Sequence, residues 1–247
     1  MLEKNLTNLY SPNDFINILS KKLIKEPFIV GGQAVNIWGL YYSEYTSEFK
    51  PFVSKDFDLF GTRETLTQIS KVMGVEPHYF SMTPPTNQVG FVIFERNEKE
   101  KIPIEILDSI YGVKNEELEK TKHKLSIGNP EIIVSIPSPI ALLKAKIANV
   151  ADLSQKDRQD EKHICILAKL IPFYLADSYR LIEKQKKNER DILNLLEFLL
   201  EVLTSKKADK ILEDLKIEGI NMFSEIKPIK GSKIDSFFSQ RLKRVFN

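Results

Sequence analysis

The sequence holds few of the residues that make disulfides and soft-metal sites. Its 247 residues include one cysteine, Cys165, so no internal disulfide can form, which fits a reducing compartment. The three histidines, His78, His123 and His163, show no metal-ligand spacing. The last of them follows the charged stretch KDRQDEK, which is typical of a helix surface, and we expect it to be a surface residue.

Long apolar runs and a strong charge of one sign are also lacking. No apolar run approaches the roughly 20 residues of a membrane span, and the first residues, MLEKNLTNLYSPNDF, include no apolar stretch of signal-peptide length. We therefore expect a cytoplasmic protein with no membrane partner. The net charge of +2 is too near neutral for a general polyanion binder, so any nucleic-acid contact would have to be local.

What is present is the composition of a globular protein, 42% hydrophobic and 28% charged. A helix over 11–25 is followed by mixed helical and strand patterns and by a hairpin, VGFVIFERN with KIPIEILDSI. Helical patterns then dominate, including segments at 159–170 and 173–186. We predict an α+β protein with an α/β core over residues 1–136 and a C-terminal helical domain over 137–247.

Two glycines end an apolar stretch and begin a helical pattern. In FIVGGQAVNIWGLYY, residues 28–42, the pattern predicts a short buried strand that ends at Gly31 and Gly32 and turns directly into a helix. Backbone N–H groups at the start of a helix lie at its positive end, where a phosphate group can be held. On its own, a diglycine after a strand is more often only a turn.

Two aspartates one residue apart occupy the next strand pattern, SKDFDLF at 54–60. Because side chains alternate along a strand, Asp56 and Asp58 should point to the same side, roughly 7 Å apart at the backbone. Carboxylates this close raise each other's pKa unless a cation lies between them, and Mg²⁺ prefers oxygen ligands. A lone pair of this kind is more often a solvated strand face.

A third acid on another strand would strengthen the case for a metal. In KIPIEILDSI the isoleucines share one face and Glu105 lies on the other, which makes it our candidate. Asp108 is the competing assignment, but the alternation groups it with the isoleucines unless the strand has already ended. The order and spacing of the acids and the diglycine together, rather than any one motif, indicate phosphoryl chemistry.

This combination resembles the signature of the nucleotidyltransferase superfamily related to DNA polymerase beta, and within it the subgroup of AbiEii-type abortive-infection toxins and other minimal nucleotidyltransferases. The matching residues are Val30, Gly31, Gly32, Asp56, Asp58 and Glu105. Glutamate stands where the subgroup has aspartate as third acid. The stretch IALLKAKIANVADLSQKDRQD is similar to the subgroup's later element, with Lys146 or Lys144 as its helical lysine and Asp157 and Asp160 as its aspartates. The resemblance covers residues 28–165.

The resemblance implies a nucleotidyltransferase-type mixed β-sheet with flanking helices, followed by the helical domain. It implies that Asp56, Asp58 and Glu105 are catalytic and hold two Mg²⁺ ions. The residues that it implies for phosphate binding are Gly31, Gly32, Gln33 and Lys146.

The implied reaction is the transfer of a nucleoside monophosphate from an NTP, such as ATP, to an acceptor hydroxyl. One candidate acceptor is tRNA or another RNA, as for a toxin that is paired with an antitoxin protein. A small molecule is the other, as for an antibiotic adenylyltransferase. The alternative of a different class is a non-catalytic nucleotide-binding or interaction module that keeps the same fold.

Overall fold

The computed structural model describes residues 10–21, 26–81, 86–97, 100–127, 132–184 and 188–246. Its strands are β1 (Phe57–Phe60), β2 (His78–Tyr79), β3 (Gln88–Asn97), β4 (Glu100–Leu107), β5 (His123–Ile127) and β6 (Ile132–Ile136). Its helices are α1 (Pro12–Lys21), α2 (Gly31–Tyr41), α3 (Ser43–Thr46), α4 (Arg63–Met73), α5 (Asn115–Thr121), α6 (Pro139–Asp152), α7 (Asp160–Glu183), α8 (Glu189–Leu203), α9 (Lys206–Asp214), α10 (Lys233–Ser236) and α11 (Lys243–Phe246).

Within the described residues, β1 to β4 form a mixed sheet in the order β1-β4-β3-β2. Strand β1 runs parallel to β4, and β3 runs antiparallel to β4 and to β2. The predicted hairpin is therefore present as β3 and β4. Phe57, Leu59 and the isoleucines of β4 are buried, since they alternate onto the side of the sheet that faces the core.

The segment that precedes the diglycine joins this sheet to the antiparallel pair β5 and β6. The Ile29 N–H donates to Ser135 O at 2.8 Å, and the Val30 N–H donates to Asp58 O at 3.0 Å. The predicted strand there is an extended segment that makes single bridges, Phe28 with Ser135 and Ile29 with Leu59. It holds the start of α2 directly beside β1.

Helix α7 is longer than its sequence pattern predicts. The two separate helices expected at 159–170 and 173–186 are wrong in this respect, because one helix runs from Asp160 to Glu183 through Pro172. A proline inside a helix costs about 3 kcal/mol. Its neighbours Ile171 and Tyr174 are buried, at 0% and 3% exposure, and their packing in the core offsets that cost.

The α+β class is confirmed, since a mixed sheet with flanking helices is followed by packed helices. Buried side chains from both predicted domains belong to one hydrophobic cluster, and α6 packs against α2 as well as α7. The division at residue 136 stays a prediction. Across the described parts of the chain, no helix has both the length and the apolar character needed to cross a bilayer.

Candidate active site

One cavity is lined by most of the sequence-predicted site residues. It has a volume of about 850 Å³ and lies between the β1 and β4 strands, the start of α2, and the α6 to α7 connection. The predicted residues among those that line it are Gly31, Gly32, Asp56, Asp58, Glu105 and Lys146. We call the β1 and β4 side the acidic wall, made of Asp56, Asp58 and Glu105. The side formed by α6 and α7 is the basic wall, made of Lys146, Arg158, Asp160 and His163.

The register of two parallel strands brings the acidic wall together. Asp58 and Glu105 are direct partners of β1 and β4, so their side chains leave the sheet on the same side. Asp56 lies just before β1 and is exposed at the cavity. The pKa of Asp58 is raised to about 7, first by burial and then by the carboxylates of Asp56 and Glu105, while Lys146 opposes them. Carboxylates that repel one another in this way have the electrostatics of a cation site.

Gly31, the first glycine of the pair, packs directly against the Asp58 side chain. Gly31 has a φ of +65°, a left-handed conformation that side chains rarely adopt, and a Cβ there would overlap the Asp58 Oδ2 atom. Gly31 is the first residue of α2, whose preceding residue Val30 supplies no side-chain cap. The N-terminus of α2 thus lies directly against a carboxylate and opens into the cavity, where a phosphate group could approach its N–H groups.

The acidic wall fits magnesium in its chemistry but is not converged as a metal cluster. Three carboxylates supply the oxygen ligands that Mg²⁺ prefers. Among the described residues, however, no three Asp, Glu, His or Cys side chains come together closely enough to hold an ion. Glu105 is instead engaged by a neighbour, because the Gln88 Nε2 amide donates to its Oε2 at 3.0 Å. Binding a metal would require these carboxylates to rotate towards one another.

The basic wall contains a buried ion pair that carries an extra cation. Lys146 Nζ lies 2.7 Å from Asp160 Oδ1, with the two side chains 8% and 3% exposed, and Arg158 Nε lies 2.5 Å from Asp160 Oδ2. Burial alone would raise the pKa of Asp160, but the two cations lower it below its ordinary value. Two cations and one carboxylate leave a single net positive charge facing the acids.

The structure separates the two candidate lysines. Lys146 lines the cavity, whereas Lys144 lies outside its lining, with its Nζ 2.8 Å from Glu117 Oε1. Of the two aspartates in the later element, Asp160 is the paired one. Asp157 also lines the cavity, but it is exposed in a loop and has a φ of +62°.

His163 is a cavity residue that the sequence interpretation missed. The expected helix-surface position is wrong, because the side chain is only 4% exposed and lines the cavity. Burial lowers its pKa well below the ordinary 6.5, and the Lys146 cation lowers it further. Asp160 and His163 are three residues apart on α7 and therefore share a face. That spacing is the signal that could have placed the histidine beside the aspartate.

Two other predicted or competing residues lie elsewhere. Gln33 is not part of the cavity lining, since its buried side chain donates from Nε2 to Tyr10 O at 3.1 Å, which leaves only its backbone N–H for a phosphate. Asp108 follows the end of β4, is exposed, and accepts a hydrogen bond from the Ser109 hydroxyl at 2.9 Å. It does not line the cavity, so Glu105 is the acid that faces the aspartate pair.

Comparison with known solved structures gives a distant likeness. No protein-family model and no curated protein matches this chain. The structure is similar to a crystal structure of an antigenic nucleotidyltransferase-like protein from Paracoccidioides brasiliensis, with a TM-score of 0.44 and 15% sequence identity, over 88% of this chain and 100% of that one. At this level of similarity, a functional assignment depends on the chemistry of the cavity itself.

Proposed function

We propose that the protein is a Mg²⁺-dependent nucleotidyltransferase, which moves a nucleoside monophosphate from an NTP to an acceptor hydroxyl. The observation that supports this most directly is the position of Asp58. Its carboxyl has a pKa of about 7, lies beside two further acids, and touches the glycine that begins α2. A repelled carboxylate next to a helix N-terminus suits a site that takes up a cation and a phosphate chain together.

The acidic wall would hold the metal. Asp56 and Asp58 would bind two Mg²⁺ ions, with Glu105 as the third ligand. When bound, these ions would neutralise the triphosphate charge and polarise the phosphoryl oxygens. The N–H groups of Gly31 and Gly32 would donate hydrogen bonds to the phosphate oxygens that face α2.

The transfer step follows in-line displacement. The acceptor oxygen attacks the α-phosphorus, a new P–O bond forms, and the bond to the bridging oxygen of the β-phosphate breaks, so that pyrophosphate leaves. Glu105, placed beside Asp58 in the strand register, would accept the proton of the attacking hydroxyl. The net positive charge of Lys146, Arg158 and Asp160 would stabilise the leaving pyrophosphate from the opposite wall.

The direct test is transfer of label from α-³²P-NTPs to tRNA, to cell extract, or to small hydroxyl compounds, with Mg²⁺ and with EDTA. Label on RNA would assign a toxin-like acceptor, and label on small molecules would assign a small-molecule modifier. The absence of label from every acceptor, with an NTP-induced rise in melting temperature, would overturn the transferase proposal in favour of a nucleotide-binding module.

Two matched variants test whether the acidic wall is the catalytic site. Asp58→Asn should abolish Mg²⁺-dependent transfer, whereas Asp108→Asn, which changes an exposed acid outside the cavity, should leave it unchanged. Transfer retained by Asp58→Asn would refute the assignment of the acidic wall.

A further inference from the structure

His163 is buried at the cavity without the hydrogen bonds that a buried imidazole needs. Both ring nitrogens, Nδ1 and Nε2, lack a hydrogen-bond partner within the described part of the chain. Leaving a buried polar group without a partner costs about 1–3 kcal/mol. The other side chains with such atoms in the described residues, Gln33, Asn36 and Gln155, do not line this cavity. Of these four residues, His163 is therefore the one that lines the cavity.

The ring lies against the start of α2. A Cβ placed on Gly32 would be 3.1 Å from the His163 Cε1 atom and 2.8 Å from the Ser54 Oγ atom. The imidazole edge that carries Cε1 and both nitrogens therefore borders the place where the second glycine leaves room. Both nitrogens are buried, so a phosphate group held at the N-terminus of α2 would contact that edge after a small shift of the ring towards the cavity.

The charged groups around the ring favour an anion as the missing partner. Lys146 lies on α6, and Arg158, Asp160 and Lys162 lie before or on α7. Asp160 is already occupied by two cations. A neutral imidazole has one N–H donor and one acceptor nitrogen. Magnesium prefers oxygen ligands, so the imidazole suits the phosphate rather than the metal.

We infer that His163 donates a hydrogen bond to a non-bridging phosphate oxygen of the bound nucleotide and so fixes the position of the phosphate chain between the two walls. This inference deepens the proposed function and rests on it. If His163 served only the packing of α7, replacing it would not change the Kd for the nucleotide.

Two variants separate binding from packing. His163→Gln keeps a neutral N–H donor, and His163→Leu removes the donor while filling the space. We expect His163→Leu to raise the Kd for Mg²⁺–ATP and for inorganic tripolyphosphate about tenfold, and to unfold at a temperature no lower than the wild type. His163→Gln should recover most of the affinity. His78→Gln, a change at an exposed histidine outside the cavity, should leave the Kd unchanged.

A spectroscopic readout is independent of catalysis. The chain has three histidines, so long-range ¹H–¹⁵N spectra of the imidazole rings resolve each one by substitution. Tripolyphosphate should shift the His163 nitrogens. His123, whose Nε2 lies 2.9 Å from the Tyr174 hydroxyl, and His78 should not move.

The outcomes distinguish this inference from the proposed function. Nucleotide binding that leaves the His163 signals and the Kd of His163→Leu unchanged would overturn the inference while leaving the transferase proposal intact. A His163 shift with tripolyphosphate in a protein that transfers no label would support the phosphate contact and remove the transferase reaction. No binding of ATP or tripolyphosphate by the wild type would overturn the inference.

Discussion

The two walls of the cavity are stabilised in opposite ways. On the acidic wall, Asp58 meets acids of the same charge, and its pKa is raised to about 7. On the basic wall, Asp160 has a cation at each carboxylate oxygen, and its pKa is lowered. Repulsion that the fold tolerates on one side is a strain that a cation would relieve, whereas the pair on the other side is satisfied by the protein itself. The acidic wall is therefore the place for a cation to bind, whereas Lys146, Arg158 and Asp160 balance one another's charges without a ligand.

The largest expected effect is on the acidic wall. Asp58→Asn should lower Mg²⁺-dependent transfer more than about 100-fold, because it removes a metal ligand. The same change should raise the free energy of unfolding at pH 8 by about 1 kcal/mol, since it deletes a repelled charge. Urea titrations in EDTA, together with the labelled-NTP assay, measure both. A variant that loses activity and stability together would point to a structural role for Asp58.

The basic wall should behave in the opposite way. Asp160→Asn leaves Lys146 buried without its carboxylate, and removing one partner of a buried pair costs about 3–5 kcal/mol. Lys144→Met is the matched control, because Lys144 lies two residues from Lys146 on α6 and pairs with Glu117 of α5. Both members of that pair are partly exposed, so the change should cost less than about 1 kcal/mol. Equal losses in the two variants, measured by urea denaturation, would contradict the buried-pair description.

The sequence predicts the acidic wall better than the basic one, for a physical reason. Asp56, Asp58 and Glu105 lie on strand patterns whose alternation fixes the side of the sheet. The partner of Lys146, by contrast, depends on how α6 packs against α7, which no local pattern encodes. His163 was misplaced for the same reason, since the charged residues before it are typical of a surface although tertiary packing buries it.

The fold, like the site, is predicted correctly where local sequence patterns determine it and incorrectly where long-range packing does. Periodicity correctly gave the hairpin β3 and β4 and the helical character of the later chain. It gave two helices in place of α7, because the local penalty at Pro172 is outweighed by burial of its neighbours. The pair β5 and β6 was not predicted as a hairpin, and its bridge to Phe28 is a long-range contact that a local pattern does not contain.

The junction between the acidic wall and α2 can be tested with two glycines of similar φ. Gly31 and Gly74 have φ values of +65° and +68°, but a Cβ on Gly31 would overlap Asp58, while one on Gly74 would meet nothing within 4 Å. Gly74→Ala should cost about 1 kcal/mol from the backbone alone. Gly31→Ala should cost about 2 kcal/mol or more, because overpacking adds to the backbone strain.

A double variant separates the two contributions. In an Asp58→Ala background the carboxylate that the new methyl group would meet is gone and only the Cβ atom at 3.1 Å remains, so the added cost of Gly31→Ala should fall towards that of Gly74→Ala. If the cost of Gly31→Ala is the same with and without the Asp58 carboxylate, the close approach does not limit this position.

The smallest expected effect is a difference in how the two walls respond to pH in metal-free protein. The pKa of Asp58 is raised from 3.8 to about 7. As the pH falls through 7 towards 3.8, the native state binds a proton that the unfolded chain does not, so this carboxyl adds stability. The pKa of His163 is depressed below 6.5. As the pH falls through 6.5, the unfolded chain binds the proton instead, so this imidazole removes stability. Each slope is limited to about 1.4 kcal/mol per pH unit.

Because the two contributions have opposite signs in the same window, the wild type should show little net change between pH 7 and 6, and single variants should expose each slope. In EDTA, the free energy of unfolding of Asp58→Asn should fall as the pH is lowered from 7 to 5, since only the histidine contribution remains. That of His163→Leu should rise over the same interval. If the free energies of unfolding of the two variants changed with pH in the same direction, the pKa of Asp58 would not be raised while that of His163 is lowered. The contrast between the acidic and the basic wall would then be wrong.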